Sequence, residues 1–455
     1  MSSPFINRIA REHGLYNLDS RGIPSVIDGL KVVQRTALWI MRHQSSWMKV
    51  NEVVGRMMGS GLYVHGDASA GDAVSRQAGP YLNNVPLIEG KGAFGTRVSP
   101  ADSISQARYI SVRKAAVADA LLYEDIDICP HRPNYDGSTS MPAHFLPLIP
   151  ILLLNGVSGI ATGWATKILP RRLPDLIDAT LAAIDGKPVK KLMPFWERYD
   201  VTVKEVGANK YEIFGKFERL DSSNILITEL PPGMNRDTLI GVLEEIIQPE
   251  KPKEGYQSPI KDYTDDSSKG IRFKVRFARG LLSEYSDEQI VDLLKLRERL
   301  TESIVTIGWN LSGAMYTESA EKLVEDFVAW RLSWYVVRYE ALLATEQANL
   351  IYWASIMACF DADLPKKIQS FASKRELKSH IGEIITLADI QVVEENLDKI
   401  SELASHRWTE AGYQNAIDEI TKTLSLIDTY EEILADPERR RDIYRSEVRA
   451  LKKKI

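Results

Sequence analysis

Between residues 314 and 364 the chain has neither glycine nor proline, and apolar side chains return at alternating spacings of four and three: Leu323, Phe327, Trp330, Trp334, Val337, Ala341, Ala344, Ala348 and Ile351. That spacing predicts one long helix with a coiled-coil seam sustained over four heptads. A second seam, Ile417, Ile420, Leu424, Ile427, Glu431 and Leu434, falls between Gly412 and Pro437. The two helices are expected to pair antiparallel as a long arm over 319–455, with residues 361–412 as a helical cap at its tip. So small a cap has little core of its own, and a homodimer formed by pairing with a second copy is expected.

The first quarter reads as short helices with glycine punctuation. Apolar positions in 27–41 keep helical spacing, a second helix is predicted over 49–58, and Gly66-Asp67 opens a third, with Asp67 as its N-cap and Gly79 as its stop. Helix, glycine turn, helix is the layout of a helix-turn-helix, here within 24–128 after an N-terminal arm, 1–23. From Pro130 to Thr317 prolines cluster and strands are predicted at 211–217, 224–228 and 270–277. In the last of these, Arg272, Lys274 and Arg276 share one face by the period of two. The fold class expected is mixed α and β and multidomain, with an α/β region over 129–318.

Composition adds limits. With 455 residues, 44% hydrophobic and 26% charged, the chain has the make-up of a soluble globular protein of several domains. The longest apolar stretch, 145–160, is broken by Pro147, Pro150, Gly156 and Gly159, and the N-terminus has no apolar signal core. Two cysteines, Cys129 and Cys359, are too few for a disulfide framework, so a cytoplasmic location is expected, that of a bacterial host if the gene is viral. The net charge of -5 hides an asymmetry, because residues 1–115 hold 14 Lys and Arg against 8 Asp and Glu. A basic head on an acidic body suits a chain that grips a polyanion with one part.

Tyr109 lies within Arg108-Tyr109-Ile110, downstream of Gly90, Gly92 and Gly95 and of the basic segment 21–35. A phenol is a poor nucleophile near neutral pH unless positive charge favours its anion, and arginine supplies that charge together with a clamp for phosphate oxygens. Tyr109 is therefore the candidate for a covalent link to DNA.

Seven motifs in order carry a family resemblance: Arg21-Gly22-Ile23-Pro24; Asp28-Gly29-Leu30-Lys31 with Arg35; His65-Gly66-Asp67; the glycine-rich stretch 89–95; Ala107-Arg108-Tyr109; Asn134-Tyr135-Asp136-Gly137; and the run 154–163. The chain resembles the breakage-reunion subunit of type IIA DNA topoisomerases, and in its length the phage-type members. The resemblance implies a winged-helix domain bearing the catalytic tyrosine, a tower domain and a coiled-coil arm with a dimerisation cap. It implies a transient 5′-phosphotyrosyl link in each strand, duplex passage, relaxation and decatenation. Its matching positions make Tyr109, Arg108, Arg21, Lys31, Arg35 and His65 the catalytic set. They make Asp28, Ala68, Asp72, Arg76, Lys91 and Ile168 the DNA-contacting set, with Ile168 wedged between base steps. Asp28 is expected to orient Arg35 or Lys31.

Two departures stand out. Tyr63 and Val64 replace a usual histidine and proline, and Gln34 replaces another histidine, so the local proton inventory is small. Ala68 stands where bacterial relatives have a serine that binds quinolones through water, so weak quinolone sensitivity is expected. The seven histidines are scattered, and neither a metal-binding TOPRIM pattern nor a Walker loop is evident. Mg²⁺ and ATP are expected to be bound by a large partner subunit with ATPase and TOPRIM domains. The chain ends soon after its returning helix, without a wrapping β-propeller, so relaxation without gyrase-type supercoiling is expected. The competing reading is a winged-helix architectural protein that bends DNA without cutting it.

Overall fold

The computed structural model describes all residues except Met1 to Ser3, Tyr135, Lys253, Lys269 and Ile455, and omits the side chains of Pro4, Ser405, Lys453 and Lys454. Tyr135 of the Asn134–Gly137 motif thus lies outside the described residues. The chain divides into two compact units, Met1–Arg331 with Arg445–Ile455, and Leu332–Tyr444.

In the larger unit an N-terminal helix, Pro4–Asn17, passes through a π-helical turn, Leu18–Gly22, into helices Val32–Met41, Val50–Gly59 and Asp67–Gln77. These three pack through Ala37, Leu38, Met41, Val50, Val53, Met57, Ala70 and Val74, all buried. The first begins five residues later than the apolar spacing implied. Gly29 takes φ +65°, where a side chain would be strained, and a Cβ there would also sit 2.6 Å from Leu152 Cα. The Asp28 carboxylate accepts from Leu30 N at 3.1 Å and so closes that turn instead of a helix. Asp67 is the first residue of its helix, not the N-cap, which is Gly66. Its carboxylate turns back onto Ala68 N at 2.8 Å.

A small antiparallel sheet completes this region, in the order Met48–Lys49, Ser111–Lys114, Ile88–Lys91. The central strand is fixed on both edges, Val112 facing Met48 on one side and Gly90 on the other. Beyond it come two hairpins, His131–Pro133 with Ser140–Pro142 and Val157–Ala161 with Trp164–Ile168. A four-stranded antiparallel sheet then runs Lys216–Arg219, Asn224–Glu229, Phe273–Phe277, Ile260–Asp265. Its apolar face packs Ile225, Ile227, Phe273, Val275 and Phe277 under helix Arg236–Ile247. The opposite face carries Arg272, Lys274 and Arg276, with Arg276 paired to Asp262.

The smaller unit holds most of the 42-residue helix Ala320–Asp361 and helix Glu410–Ala435. The seam that the sequence spacing indicated is buried here only in part, with Ile427 inside. Tyr335 is fully buried against Tyr444 and Tyr339 meets Tyr430, at ring separations of 5.1 and 5.7 Å. Val337 and Leu424 are exposed. The helix carries two adjacent apolar stripes, and the one bearing Tyr335 is buried where it meets Tyr444. Helices Lys374–Leu387 and Glu394–Ser401 close a small core of Ile356, Cys359, Leu364, Ile381, Ile385, Leu397 and Ile400.

Candidate active site

Tyr109 sits in the turn that enters strand Ser111–Lys114. Its amide donates to Gln106 O at 2.9 Å, and its carbonyl accepts from Lys49 Nζ at 3.0 Å. With the backbone held at both ends, the phenol projects outward and is 63% exposed. The Arg108 guanidinium lies 4.6 Å from its ring centroid. A tyrosine held so firmly with its ring in water has given up the burial that usually stabilises an aromatic side chain. Lys91 pairs across the sheet with Ser111 and is exposed, its ammonium 5.8 Å from the Trp47 ring.

A groove of roughly 750 Å³ opens beside the three helices, lined among others by Tyr16, Arg21, Lys31, His65, Asp72, Arg76 and Arg132. His65 is fixed by a 2.6 Å hydrogen bond between its Nε2 and the Tyr16 hydroxyl, and by an edge contact with Tyr63. Burial and the nearby Arg21 cation push the imidazole below its ordinary pKa of 6.5, which favours the neutral ring. Lys31 donates from Nζ to Ser158 O at 3.0 Å, and burial lowers its pKa. Arg76 is forked onto Asp72 with both oxygens 2.8 Å from Nε. Ala68, one turn earlier on the same helix, is exposed.

The groove therefore gathers Arg21, Lys31, His65, Asp72 and Arg76. Tyr109 is not among the residues that line it. A second groove of roughly 530 Å³, lined by Asp67, Ala68, Asp72, Gln106 and Ala107, approaches the tyrosine's own loop. Asp72 belongs to both.

Three residues that the motifs assigned to catalysis or DNA contact are buried. Arg35 is 3% exposed, and its guanidinium is taken up by Asp28 and by Leu30 O at 3.1 Å. A cation so placed is a structural tie and offers nothing to a phosphate. Asp28 is fully buried, accepting also from Phe145 N at 3.0 Å, and makes no surface for DNA. Ile168 is 2% exposed at the foot of its hairpin, where its partner is Val157. The apolar side chain offered to solvent on that hairpin is Ile160, 85% exposed near the tip. Its signal in the sequence was an isoleucine between Gly159 and Gly163, on the strand just before the hairpin turn.

This hairpin is bolted to the groove. A Cβ on Gly22 would lie 2.6 Å from Ile160 O, and one on Gly159 would collide with Gly22 O. Only glycines at both positions allow the two backbones this close. Arg132, on the neighbouring hairpin, is the lining residue that the motifs did not point to.

No group of three His, Cys, Asp or Glu side chains converges among the described residues as a metal site would require. No helix among them is long and apolar enough to cross a membrane.

Comparison with known proteins follows the same outline. The family of the A-type subunit of DNA gyrase/topoisomerase IV matches residues 21–449. The chain is 29% identical over 439 residues to the DNA topoisomerase medium subunit of Enterobacteria phage T4, covering 92% of this chain and 96% of that protein. It is 31% identical over 335 residues to DNA topoisomerase 2 of Bombyx mori, covering 72% of this chain but 21% of that protein. The A-type subunit of DNA gyrase from Pseudomonas aeruginosa is 28% identical over 493 residues, covering 95% of this chain and 52% of that one. A crystal structure of the Plasmodium falciparum topoisomerase II DNA-binding, cleavage and re-ligation domain shares the fold, with TM-score 0.84 at 22% identity over 99% of this chain and 64% of that one.

Proposed function

Since the chain belongs to the family of the DNA gyrase/topoisomerase IV A-type subunit, we propose that Tyr109 is the nucleophile with which it breaks and rejoins DNA. Membership favours this catalytic reading over DNA bending alone. The observation that carries the residue assignment is the exposed phenol of Tyr109, held from the backbone on both sides with Arg108 against its ring.

The step exchanges one phosphodiester for another. The Tyr109 Oη to phosphorus bond forms, the bond from phosphorus to the 3′-oxygen breaks, the phenolic proton leaves and the 3′-oxygen gains one. No bond energy is lost, so the reverse reaction reseals the strand. Arg108 and Arg21 supply charge-assisted hydrogen bonds to the phosphoryl oxygens as negative charge builds up. His65, favoured neutral by its surroundings, gains a proton as the phosphate approaches. Arg76, Lys91 and the helix bearing Ala68 and Asp72 hold the flanking duplex, and Ile160 takes the wedge role first given to Ile168.

The family uses Mg²⁺ and ATP. We assign both to a large partner subunit with ATPase and TOPRIM domains. The metal when bound stabilises charge on the leaving 3′-oxygen. Tyr109 lies outside the lining of its own chain's groove, and this supports a site completed between two copies. Leu387, 87% exposed at the end of its helix, and Val392 offer the apolar surface for pairing through the cap.

The test traps covalent complexes with denaturant after mixing the chain, the large subunit, Mg²⁺ and end-labelled DNA. A 5′-linked adduct lost in Tyr109→Phe, with DNA binding retained, is the expected result. An adduct that survives Tyr109→Phe, or none from the wild type, overturns the proposal.

A further inference from the structure

Of the arginines that the sequence motifs assign to the site, Arg35 is locked onto Asp28 in the interior and does not line the groove, whereas Arg76 shares an exposed ion pair with Asp72 on the groove's helix. Lys31 is committed to the Ser158 carbonyl. Of the arginines that line the groove, Arg21 and Arg132, the second of them outside the motifs, have no carboxylate within ion-pair distance among the described residues. We propose that Arg132 is a further phosphate-binding catalytic residue, acting beside Arg21 on the DNA phosphate in place of Arg35. The assignment rests on the reading of Tyr109 as the nucleophile.

The backbone places Arg132 without slack. It is the middle residue of strand His131–Pro133, paired across the hairpin with Met141. Met141 is buried, and its sulfur lies 3.4 Å from the Thr36 hydroxyl, so the hairpin is pinned to the helix that begins just after Lys31. Pro130 precedes the strand and Pro133 ends it, and both restrict the backbone. Around the guanidinium stand Asp19 and Tyr16 on the attractive side and the buried Arg35 on the repulsive side. Tyr16 is the residue that holds His65, and Arg21 presses on His65 in turn. Arg132, Tyr16, His65 and Arg21 thus form one continuous wall of the groove.

The electrostatics ask for an anion. Arg132 is exposed along its strand, yet partial desolvation at the groove wall and the Arg35 charge both act against its cation, lowering its pKa from the ordinary arginine value. Asp19 answers only partly, because burial raises its own pKa and one of its carboxylate oxygens has no hydrogen-bond partner. A guanidinium stays charged throughout the physiological range, so its demand is met by an incoming anion and not by loss of a proton. A phosphodiester presents two oxygens to its planar fork, which a single neutral partner does not match. When that phosphate becomes five-coordinate and gains charge, the interaction strengthens, and this is the condition for speeding the chemical step.

The experiment compares wild type, Arg132→Ala, Arg132→Lys and Tyr109→Phe, each with the large subunit, Mg²⁺ and a labelled duplex. Adduct formation is followed in single turnovers, and DNA affinity is followed against salt. For Arg132→Ala the expected cleavage rate falls about a hundred-fold or more. The affinity loss is smaller and the salt slope falls by about one. Arg132→Lys recovers part of the rate, which a purely packing role would not allow. Equal melting temperatures for the variants establish that the loss is chemical. Cleavage by Arg132→Ala at the wild-type rate overturns the Arg132 assignment and leaves Tyr109 standing. Absence of any adduct from the wild type overturns the nucleophile itself.

Discussion

Asp28 holds Arg35 at two points, its Oδ2 2.7 Å from Nε and its Oδ1 2.8 Å from Nη2, with both side chains out of contact with water. The carboxylate also accepts from Leu30 N and Phe145 N, which joins the turn at 25–31 to a segment more than a hundred residues away. Removing it would leave a buried guanidinium with only a backbone carbonyl. Asp28→Ala is expected to lower the free energy of unfolding by about 3–5 kcal/mol, measured by chemical denaturation. A loss within the scatter of surface substitutions would mean that water reaches Arg35.

The two isoleucines of one hairpin should separate cleanly. Ile160→Ala is expected to leave stability nearly unchanged and to reduce DNA bending, read as a smaller change in energy transfer between dyes at the ends of a duplex. Ile168→Ala is expected to cost about 2–5 kcal/mol of stability as a buried residue. Equal bending by Ile160→Ala and wild type would remove Ile160 from the wedge role.

Proton uptake should accompany DNA binding. The folded chain holds His65 below its ordinary pKa of 6.5, and an arriving phosphate raises it, so the complex binds protons that the free chain does not. Calorimetry in two buffers of different ionisation enthalpy should show this uptake around pH 6–7. It should be missing in His65→Asn. The same residue affects folding with a definite sign. Because the folded pKa is depressed, its contribution is intact above 6.5 and is lost as pH falls through 6.5 toward the folded value.

Self-association should respond to Leu387. Its side chain is almost wholly in solvent, so Leu387→Asp removes little from the fold of a single chain. Sedimentation equilibrium is expected to show a shift from dimer toward monomer with unchanged helical content. A dimer as tight as the wild type would place the contact elsewhere.

The mixed α and β character could be read from the chain because periods of 3.6 and 2 depend on local geometry and need no partner. The phase of a seam does need one. Trp334 and Val337 form as good an apolar stripe as Tyr335 and Tyr339, and only the facing Tyr444 and Tyr430 decide between them. The candidate site shows the same division. The motifs drew attention to Arg21, Lys31 and His65, which do share a groove, yet no spacing rule tells an arginine that faces solvent from one folded back onto an aspartate seven residues earlier. Gly29, with its positive φ, is what turns Asp28 toward Arg35. Arg132 had no signal at all, since its place depends on a strand pairing with Met141 and on the separate burial of Arg35.

The contact between Gly22 and Gly159 makes the exposed isoleucine and Arg21 parts of one gauge. Arg21 follows Ser20 and precedes the first glycine, and Ile160 follows the second, so if Arg21 grips a phosphate and Ile160 enters the base stack as proposed, no hinge separates the two. On a helical duplex such a fixed span selects the number of base pairs between kink and cut. A methyl group added at either glycine would recalibrate that interval, and the change would be written in the DNA as a displaced cleavage position.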